Sequence, residues 1–361
     1  MRAKLEDVCD RGSSNLRQSD VEGKNGDYPI YGASGYIGNV DFYHQELPYV
    51  AVVKDGAGVG RTMLLPAKSS VIGTMQYLLP KKNVLPAYLY YVVRYMHLEK
   101  YFSGATIPHI YFRDYKNEEF NLQSIDRQTE IVDALSKVES IISARQQQLQ
   151  KLDELVKSRF VEMFGRQSHN EKGLPYLTVD DVSEIYLGIT HTPTYVDDGV
   201  MFISAKNTSG DFLDLSDVKY ISREEFESAP KGSKPQKNDV LFSRVGSNLG
   251  HPVILEEDLE LCTFVSLGFL RTKSRVTSNY LKHWMRDDFF ATQVKEHVKG
   301  GGQPNLNTGW LKQFRIIVPD METQVEFDNF CKQTDKSKAA VQKSLDEAQL
   351  LFDSLMQKYF G

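Results

Sequence analysis

The sequence predicts an α+β protein in which two pseudo-symmetric α/β domains are joined by two long helices that pair as an antiparallel coiled coil. Three observations predict this fold class. The chain of 361 residues is longer than one hydrophobic core normally serves. Its second half repeats the pattern of its first half, and each half ends in a long segment with a helical repeat. The predicted order is a first domain at 1–122, a helix at 123–165, a linker at 166–175, a second domain at 176–318 and a second helix at 319–361.

The duplication is visible as a constant spacing between matching residues. Aligning Pro108 with Pro304 gives an offset of 196 residues, and the same offset continues without a gap to the last residue. The second helical segment is therefore a copy of the first. The matched pairs include Gln128 with Gln324, Glu130 with Glu326, Leu149 with Leu345, and Phe164-Gly165 with Phe360-Gly361.

The segments that precede the helices are rich in Tyr, Phe, Gly and β-branched residues, which is typical of short strands. In the first segment KDGAGVG lies between the strand-like runs PYVAVV and RTMLLP, and in the second RVGSNLG lies between DVLFS and HPVILEE. An offset of 190 residues superimposes these two turns and pairs Lys54 with Arg244. We expect each domain to contain strand, glycine turn and strand, then a helix-like run that leads into the junctions SGATIPHIYF and GGGQPNLNT.

Both helical segments have the 4-3 apolar spacing of a coiled-coil seam, although Arg145, Arg159, Thr334 and Lys338 interrupt it. A helix of about 38 residues would be about 57 Å long. It cannot bury its apolar stripe alone, so an antiparallel pair is expected, which would hold the two domains at opposite ends. Two separate surface helices are the less favoured alternative, because the stripes share one register. The predicted seam consists of Ile131, Leu135, Val138, Ile142, Leu149, Leu152, Val156, Phe327, Val341, Leu345, Phe352 and Leu355.

Composition and residue spacing exclude several classes of protein. With 41% hydrophobic and 25% charged residues, the chain has the composition of an ordinary globular protein. No apolar run approaches the roughly 18 to 20 residues of a membrane span, and MRAKLEDVCDRG lacks a signal-peptide core, so we expect a cytoplasmic protein without a membrane partner. The three cysteines are scattered and are expected to be reduced, and the histidine spacings predict no metal site.

No catalytic constellation stands out in the chain. DGAGVG is a GxGxG turn between strands, whereas a dinucleotide fingerprint is GxGxxG at the start of a helix. The Pro-Pro-aromatic loop with which DNA methyltransferases hold a flipped base is missing, and no carboxylate-x-Lys follows Pro319-Asp320. We therefore predict no catalytic residue, and a solitary enzyme is the least favoured interpretation.

The net charge of −5 limits how the chain could bind nucleic acid. A protein that binds nucleic acid alone usually carries a basic excess that neutralises phosphates. Either nucleic acid is not the ligand, or the basic groups are local and a partner subunit supplies much of the phosphate contact.

Long polar side chains concentrate in the glycine turns, the junctions and neighbouring loops. Asn and Gln can bond bidentately to adenine and Arg to guanine, whereas each such residue taken alone is more often a solvated loop residue. Their corresponding positions in both copies favour a DNA-binding surface. The predicted contacts are Tyr31, Ser34, Lys54, Arg61, His109, Tyr111, Arg113, Lys206, Asn207, Arg244, Ser247, Asn248, His251, Gln303, Asn305 and Asn307.

With these features the chain resembles the specificity subunit of type I restriction-modification systems, in which two target recognition domains alternate with two helical regions. The resemblance covers essentially the whole chain. Its most specific stretches are YPIYGASGYIG, AVVKDGAGVGR and GATIPHIYFRDYK in the first half, and GGGQPNLNTGWLKQFRIIVPDMETQ in the second.

The resemblance implies a function and a set of partners. Each recognition domain would read one half of a bipartite site in double-stranded DNA, and the helices would set the gap between the halves. Two methyltransferase subunits would bind the helical regions, hold S-adenosylmethionine and flip an adenine in each half-site, and restriction subunits would join to cleave DNA. The chain itself would need no cofactor and carry no active site.

A non-catalytic coiled-coil scaffold, whose flanking domains bind protein rather than DNA, is the alternative interpretation. The net charge does not exclude it. A neighbouring reading frame with the Pro-Pro-aromatic methyltransferase loop would favour the DNA reader.

Overall fold

The computed structural model describes residues 1–104, 108–246, 248–298 and 304–361, which form two compact units. Unit 1 comprises Met1–Gln147 and Val341–Gly361, and unit 2 comprises Gln148–Ala340. The units are divided within the two long helices rather than at the predicted domain ends. This is because the first part of one helix packs with the last part of the other on the same α/β domain.

Unit 1 begins with the first α/β domain and contains the start of the first long helix, α5. Its strands and most of its helices are short, and the predicted glycine turn lies between the fifth and sixth strands. The elements are β1 (Arg2–Lys4), α1 (Leu5–Val8), β2 (Cys9–Ser13), α2 (Gln18–Val21), β3 (Tyr28–Gly32), β4 (Gly35–Val40), β5 (Tyr49–Val53), β6 (Thr62–Leu65), β7 (Ser70–Val71), β8 (Met75–Pro80), α3 (Pro86–Tyr95), α4 (Phe112–Tyr115), β9 (Glu119–Asn121) and α5 (Ile125–Phe164).

Unit 2 contains the second α/β domain and the start of the second long helix, α11. The predicted linker at 166–175 belongs to this unit and is partly packed, since Gln167 is buried. The elements are β10 (Tyr176–Thr178), α6 (Val179–Val182), β11 (Ser183–Leu187), β12 (Tyr195–Val196), β13 (Val200–Ile203), β14 (Lys219–Ile221), α7 (Arg223–Ser228), β15 (Val240–Ser243), β16 (Pro252–Ile254), β17 (Leu261–Thr263), β18 (Leu267–Thr272), α8 (Ser278–Met285), α9 (Asp288–His297), α10 (Thr308–Gln313), β19 (Arg315–Ile317) and α11 (Met321–Phe360).

The two domains have the same sheet topology, which confirms the predicted pseudo-symmetry. A four-stranded antiparallel sheet has the order β2-β8-β5-β6 in unit 1 and β11-β18-β15-β16 in unit 2. A second sheet, β4-β3-β7, contains the parallel pair β3–β7, and its counterpart β12-β14-β13-β17 contains the parallel pair β13–β17. Unit 2 differs by the additional edge strand β12.

The central strands β5 and β15 are buried on both faces, as their continuous apolar sequences predict. Alternate residues point to opposite faces. Val50 and Val52 of β5 pack toward α3 and the long helices, whereas Ala51 packs toward the second sheet. In β15, Phe242 packs toward the helices and Leu241 packs toward the second sheet. Each domain therefore consists of a central sheet between a helical layer and a second sheet.

The long helices α5 and α11 are 40 residues each and pair in antiparallel orientation, as predicted. In unit 1, Arg145 Nε donates to Ser344 Oγ at 3.2 Å. In unit 2, Arg159 Nη2 donates to Glu326 Oε1 at 2.7 Å, so the partner residue number falls as α5 advances.

The predicted seam is buried where it packs on the domains and only half-buried in the middle of the helices. Fully covered seam residues are Ile131, Leu135, Val138, Val156, Phe327, Val341 and Phe352, and half-buried ones are Ile142, Leu149, Leu152, Leu345 and Leu355. The polar interruptions are paired: Lys338 forms an ion pair with Asp153, and the Thr334 hydroxyl donates to Phe330 O at 3.0 Å. These pairings explain how polar residues are accommodated in the seam.

All three cysteines are unpaired and buried, as expected. Within the four described ranges, no helix combines the length and apolar character needed to cross a membrane.

Candidate nucleic-acid interface

The glycine turn and the junction, recognised separately in the sequence, are hydrogen-bonded to each other in unit 1. The Gly56 amide donates to Pro108 O at 2.9 Å, and the Ile110 amide donates to Lys54 O at 2.9 Å. These two bonds hold the turn that follows β5 against the segment that precedes α4.

Unit 2 repeats this arrangement with the residues that the sequence offsets predict. The Gly246 amide donates to Pro304 O at 3.2 Å, and the Leu306 amide donates to Arg244 O at 2.8 Å. We call this two-bond arrangement, in either unit, the turn–junction pairing. It places the glycine turn and the junction of each domain side by side.

Glycines of both turns have positive φ, which other residues rarely adopt: three in unit 1, with Gly58 at 90°, and two in unit 2. Gly56 and Gly60 have φ of 87° and 88°, and Gly246 and Gly250 have φ of 96° and 73°. At Gly60 a Cβ would lie 2.6 Å from the Glu99 amide nitrogen, so this glycine is required for space as well as for conformation.

Around the unit 1 turn, the predicted side chains lie on two sides. Arg61 is exposed and donates to Ala33 O at 3.1 Å, which brings the β3–β4 hairpin with Tyr31 and Ser34 beside the turn. Tyr31 is half-buried and Ser34 is exposed. Lys54 is partly exposed, with its ammonium 3.5 Å from the Asp55 carboxylate.

On the other side of the turn, three predicted residues at the junction form one cluster. The His109 and Tyr111 rings are 5.0 Å apart, and the Arg113 guanidinium lies 4.7 Å above the Tyr111 ring. Tyr111 and Arg113 are both exposed. A planar cation on an exposed ring is suited to stacking and hydrogen bonding with base edges.

Sequence reasoning missed two aromatic residues near this surface. Tyr36 is 60% exposed and packs edge-on against Tyr31 with the ring centroids 6.0 Å apart. Phe102 is also exposed and precedes Ser103, whose amide donates to His109 O at 2.9 Å. Aromatic residues are common in buried strands, so their exposure could not be read from the chain.

In unit 2 the predicted cation Arg244 stabilises the backbone of its own domain. Its guanidinium donates to Val265 O at 3.0 Å and to Leu306 O at 3.4 Å. Burial lowers the pKa of Arg244 from its ordinary value. Arg244 therefore braces the turn–junction pairing, whereas its partly exposed counterpart Lys54 pairs with the adjacent Asp55.

The other unit 2 residues differ in how much of their hydrogen-bonding capacity is used within the protein. Asn248 and Asn305 are exposed beside the turn and the junction. Asn307 is exposed, but its side chain accepts from the Gly309 amide at 2.7 Å and caps α10. His251 Nε2 lies 2.8 Å from Gly210 O.

Two neighbouring residues after β13 have opposite environments. Lys206 is exposed and pairs with Asp217 at 2.8 Å. Asn207 is buried, and its side chain bonds the Ser204 amide at 3.0 Å and Asp214 O at 2.9 Å. The geometry leaves Asn207 without capacity for a base. The predicted contacts Ser247 and Gln303 lie outside the described residues.

In the described parts of the chain no group of three or more His, Cys, Asp or Glu side chains is arranged to hold a metal ion. The surface is built from amides, hydroxyls, cations and aromatic rings, which bind polar edges and phosphates.

Comparison with known proteins identifies the family. The family model for the type I restriction modification DNA specificity domain matches residues 1–154 and 169–349. The chain belongs to this family. Each matched stretch includes an α/β domain and part of a long helix, so the chain contains the specificity domain twice. This agrees with the resemblance inferred from the motifs.

Individual members of the specificity family are distant in sequence. The specificity subunit of type I restriction enzyme MjaVIII from Methanocaldococcus jannaschii is 17% identical over 323 residues, which cover 82% of this chain and 76% of that protein. The specificity subunit of type I restriction enzyme EcoBI from Escherichia coli is 24% identical over 177 residues, which cover 47% of this chain and 36% of that protein.

Solved structures share the fold of this specificity-family chain. The crystal structure of the S subunit of a type I restriction-modification system from M. genitalium has a TM-score of 0.65 at 14% identity, covering 100% of this chain and 96% of that one. A chain from work on complex assembly and conformational transition of the type I R-M system has a TM-score of 0.55 at 16% identity, covering 99% and 97%.

Proposed function

We propose that each α/β domain reads one half of a bipartite site in double-stranded DNA, and that the paired helices set the gap between the halves. Each domain would read DNA through the exposed side chains of its glycine turn and junction, which we call the turn–junction surface. The turn–junction pairing carries this proposal. One backbone arrangement is built twice in the chain, with different side chains at corresponding positions. A scaffold that is repeated while its exposed side chains vary is what two unlike half-sites require.

The chemistry of the two surfaces supports base reading. Unit 1 presents cations and aromatic rings, among them Arg61, Tyr111 and Arg113. Unit 2 presents the amides of Asn248 and Asn305. Arginine pairs well with guanine and asparagine with adenine in the major groove, so the two domains are suited to different bases.

Repeated exposed apolar residues on the long helices support docking of two equal partners. In unit 1, Ile125 and Leu351 are 41% and 51% exposed. In unit 2, their counterparts at the offset of 196, Met321 and Leu155, are 39% and 48% exposed. Contiguous exposed apolar patches commonly mark protein interfaces. We propose that each pair belongs to a docking surface for one methyltransferase subunit.

The partners would supply what this acidic chain lacks. In the proposed complex, the methyltransferase subunits bind S-adenosylmethionine, contribute phosphate contacts and methylate an adenine in each half-site. Restriction subunits join the same complex to cleave DNA. This chain acts without a catalytic residue or cofactor of its own and selects the sequence.

The proposal is tested by mapping methylated adenines produced by the full chain together with its methyltransferase partner. The expected result is methylation at two unlike half-sites separated by a constant gap, with none when the chain is omitted. Arg113→Ala in unit 1 and Asn305→Ala in unit 2 form a matched pair. Each is expected to relax base preference in one half-site only, by about 1–3 kcal/mol of discrimination.

Equal methylation of adenines in all sequences would contradict base reading and favour the protein-interaction scaffold. Relaxation of the same half-site by both variants would contradict the assignment of one half-site to each domain.

A further inference from the structure

We infer that two equivalent joints between the domains and the long helices determine which gap length the complex accepts, and that a buried glutamine is the positioning residue of each. The joint of unit 1 consists of Gln128, Tyr88 and Phe360, and the joint of unit 2 consists of Gln324, Tyr280 and Phe164. The inference rests on the proposed function, because a gap exists only if both domains read DNA.

The first joint is centred on a fully buried amide at the start of α5. Gln128 Oε1 accepts from the Leu85 amide at 2.8 Å, which is the residue immediately before α3. Its Nε2 donates to Asn83 O at 3.0 Å and to Gln123 O at 2.9 Å. One side chain thereby ties the first turn of α5 to the loop that enters α3.

The second joint reproduces each of these bonds. Gln324 is fully buried, and its Oε1 accepts from the Thr277 amide at 2.9 Å, immediately before α8. Its Nε2 donates to Arg275 O at 3.0 Å and to Pro319 O at 2.9 Å. The two glutamines make the same three hydrogen bonds to matching backbone positions. The arrangement is therefore a repeated structural feature of both units.

A tyrosine and a phenylalanine attach the other long helix to the same place. In unit 1 the Tyr88 hydroxyl donates to Asn121 O at 2.8 Å, and its ring lies 5.4 Å from that of Phe360, at the end of α11. In unit 2 the Tyr280 hydroxyl donates to Ile317 O, and its ring lies 4.8 Å from that of Phe164, at the end of α5. The repeated Phe-Gly ending of the two helices thus has a structural role.

These contacts restrict the angle at which each helix leaves its domain. A buried amide that loses its partners costs about 1–3 kcal/mol for each unsatisfied group, so alternative angles are disfavoured. The seam provides less restriction in the middle of the helices, where Leu149, Leu152 and Leu345 are only half-buried. Over 40 residues, about 60 Å, a tilt of about 3° displaces the far end by about 3 Å, close to the base-pair rise of about 3.4 Å.

The inference is tested with the full chain in its methyltransferase complex. DNA substrates carry the two mapped half-sites separated by the natural gap or by one or two base pairs more or fewer, and methylation rates are compared. Gln128→Met and Gln324→Met keep the side-chain length but remove the amide. The preference for the natural gap over the neighbouring gaps is expected to fall about tenfold in each variant, with base preference within the half-sites unchanged.

Gln342→Met is the matched control, because Gln342 is an exposed glutamine on α11 whose amide donates to its neighbour Asp346 at 2.8 Å. It is expected to keep the natural gap preference. Tyr88→Phe and Tyr280→Phe remove only the ring hydroxyl and its hydrogen bonds, and provide milder variants should the methionine variants fail to fold. They are expected to show a smaller loss of gap preference.

An unchanged gap preference in all joint variants, with only a lower thermal midpoint, would overturn the positioning role and leave a structural one. In that case the half-sites would still be recognised, so the proposed function would stand. A wild-type complex that methylates all gap lengths equally would instead refute the proposed function, and this inference with it.

Discussion

The turn–junction surfaces of units 1 and 2 share a backbone but use matching residues differently. Lys54 and Arg244 occupy the same position of the repeat, and each backbone carbonyl accepts from the junction. The Lys54 ammonium lies 3.5 Å from the neighbouring Asp55 carboxylate, whereas Arg244 turns its guanidinium onto Val265 O and Leu306 O. Corresponding positions of a duplicated chain can therefore share a backbone arrangement while their side chains make different contacts.

The surroundings of the two turns explain part of this difference. Unit 2 carries the additional strand β12 and the helix α7, and the loop that follows β13 reaches the turn through His251 and Gly210. Asp211 in this loop pairs with Arg286 of the segment after α8 at 2.9 Å. The unit 2 turn is braced by this loop, whereas the unit 1 turn is tied to the β3–β4 hairpin through Arg61 and Ala33 O.

The largest expected effect separates two kinds of glycine in each turn. Gly60→Ala and Gly250→Ala should lower the free energy of unfolding by about 3 kcal/mol, since they combine a positive φ with a Cβ placed 2.6 Å from the Glu99 amide or 2.5 Å from the Phe290 ring. Gly56→Ala and Gly246→Ala meet open space and should cost about 1–2 kcal/mol. Denaturant unfolding of the four variants measures both values, and equal costs within each turn would contradict the close approach.

The next effect tests the different roles of the matching cations. Arg244→Met leaves two carbonyls without their donor and should destabilise the chain by about 1–2 kcal/mol. Lys54→Met should change stability by less than about 0.5 kcal/mol. In the complex, it should weaken DNA binding and reduce the slope of log K against log salt by about 1.

Measurements of unfolding and of salt-dependent DNA binding on both variants decide between these roles. A loss of stability with Lys54→Met, or a changed salt slope with Arg244→Met, would show that the assignments are reversed.

The smallest effect is a difference in acid sensitivity between the units. Thr277 and Leu85 are equivalent at the two joints, so His283 of α8 occupies the position of Tyr91 in α3. Burial, with the nearby cations Lys282, Arg286 and Lys338, holds the pKa of His283 well below its ordinary value. The folded state therefore binds fewer protons than the unfolded state below about pH 6.5, and stability falls as the pH decreases.

About 1 kcal/mol should be lost through His283 between pH 6.5 and pH 5.5. Unfolding at both pH values, with wild type and His283→Gln, measures this loss, and the variant should show less acid sensitivity. The matching Tyr91→Phe should leave the pH dependence unchanged, because burial raises the pKa of Tyr91 above its ordinary value. Identical pH profiles for wild type and His283→Gln would contradict a buried neutral imidazole.

Much of the architecture could be predicted because it depends on periodic or repeated signals. The 4-3 apolar spacing predicted α5 and α11 and their pairing, and the offsets of 196 and 190 related the junctions and the turns of the two domains. The environment of individual polar residues could not be predicted in this way. Lys206 and Asn207 are adjacent polar residues, yet Lys206 is exposed and Asn207 is buried.

By itself the sequence determined the duplicated plan, the seam positions and the glycines, because local backbone preference and apolar periodicity act within short stretches of chain. Only the tertiary structure decided that the turn and the junction are hydrogen-bonded to each other and that Arg244 donates to carbonyls of its own domain. It also decided that Gln128 and Gln324 tie the helices to their domains. These outcomes depend on hydrogen bonds between segments far apart in the chain, whose partners become available only when the domain closes around them.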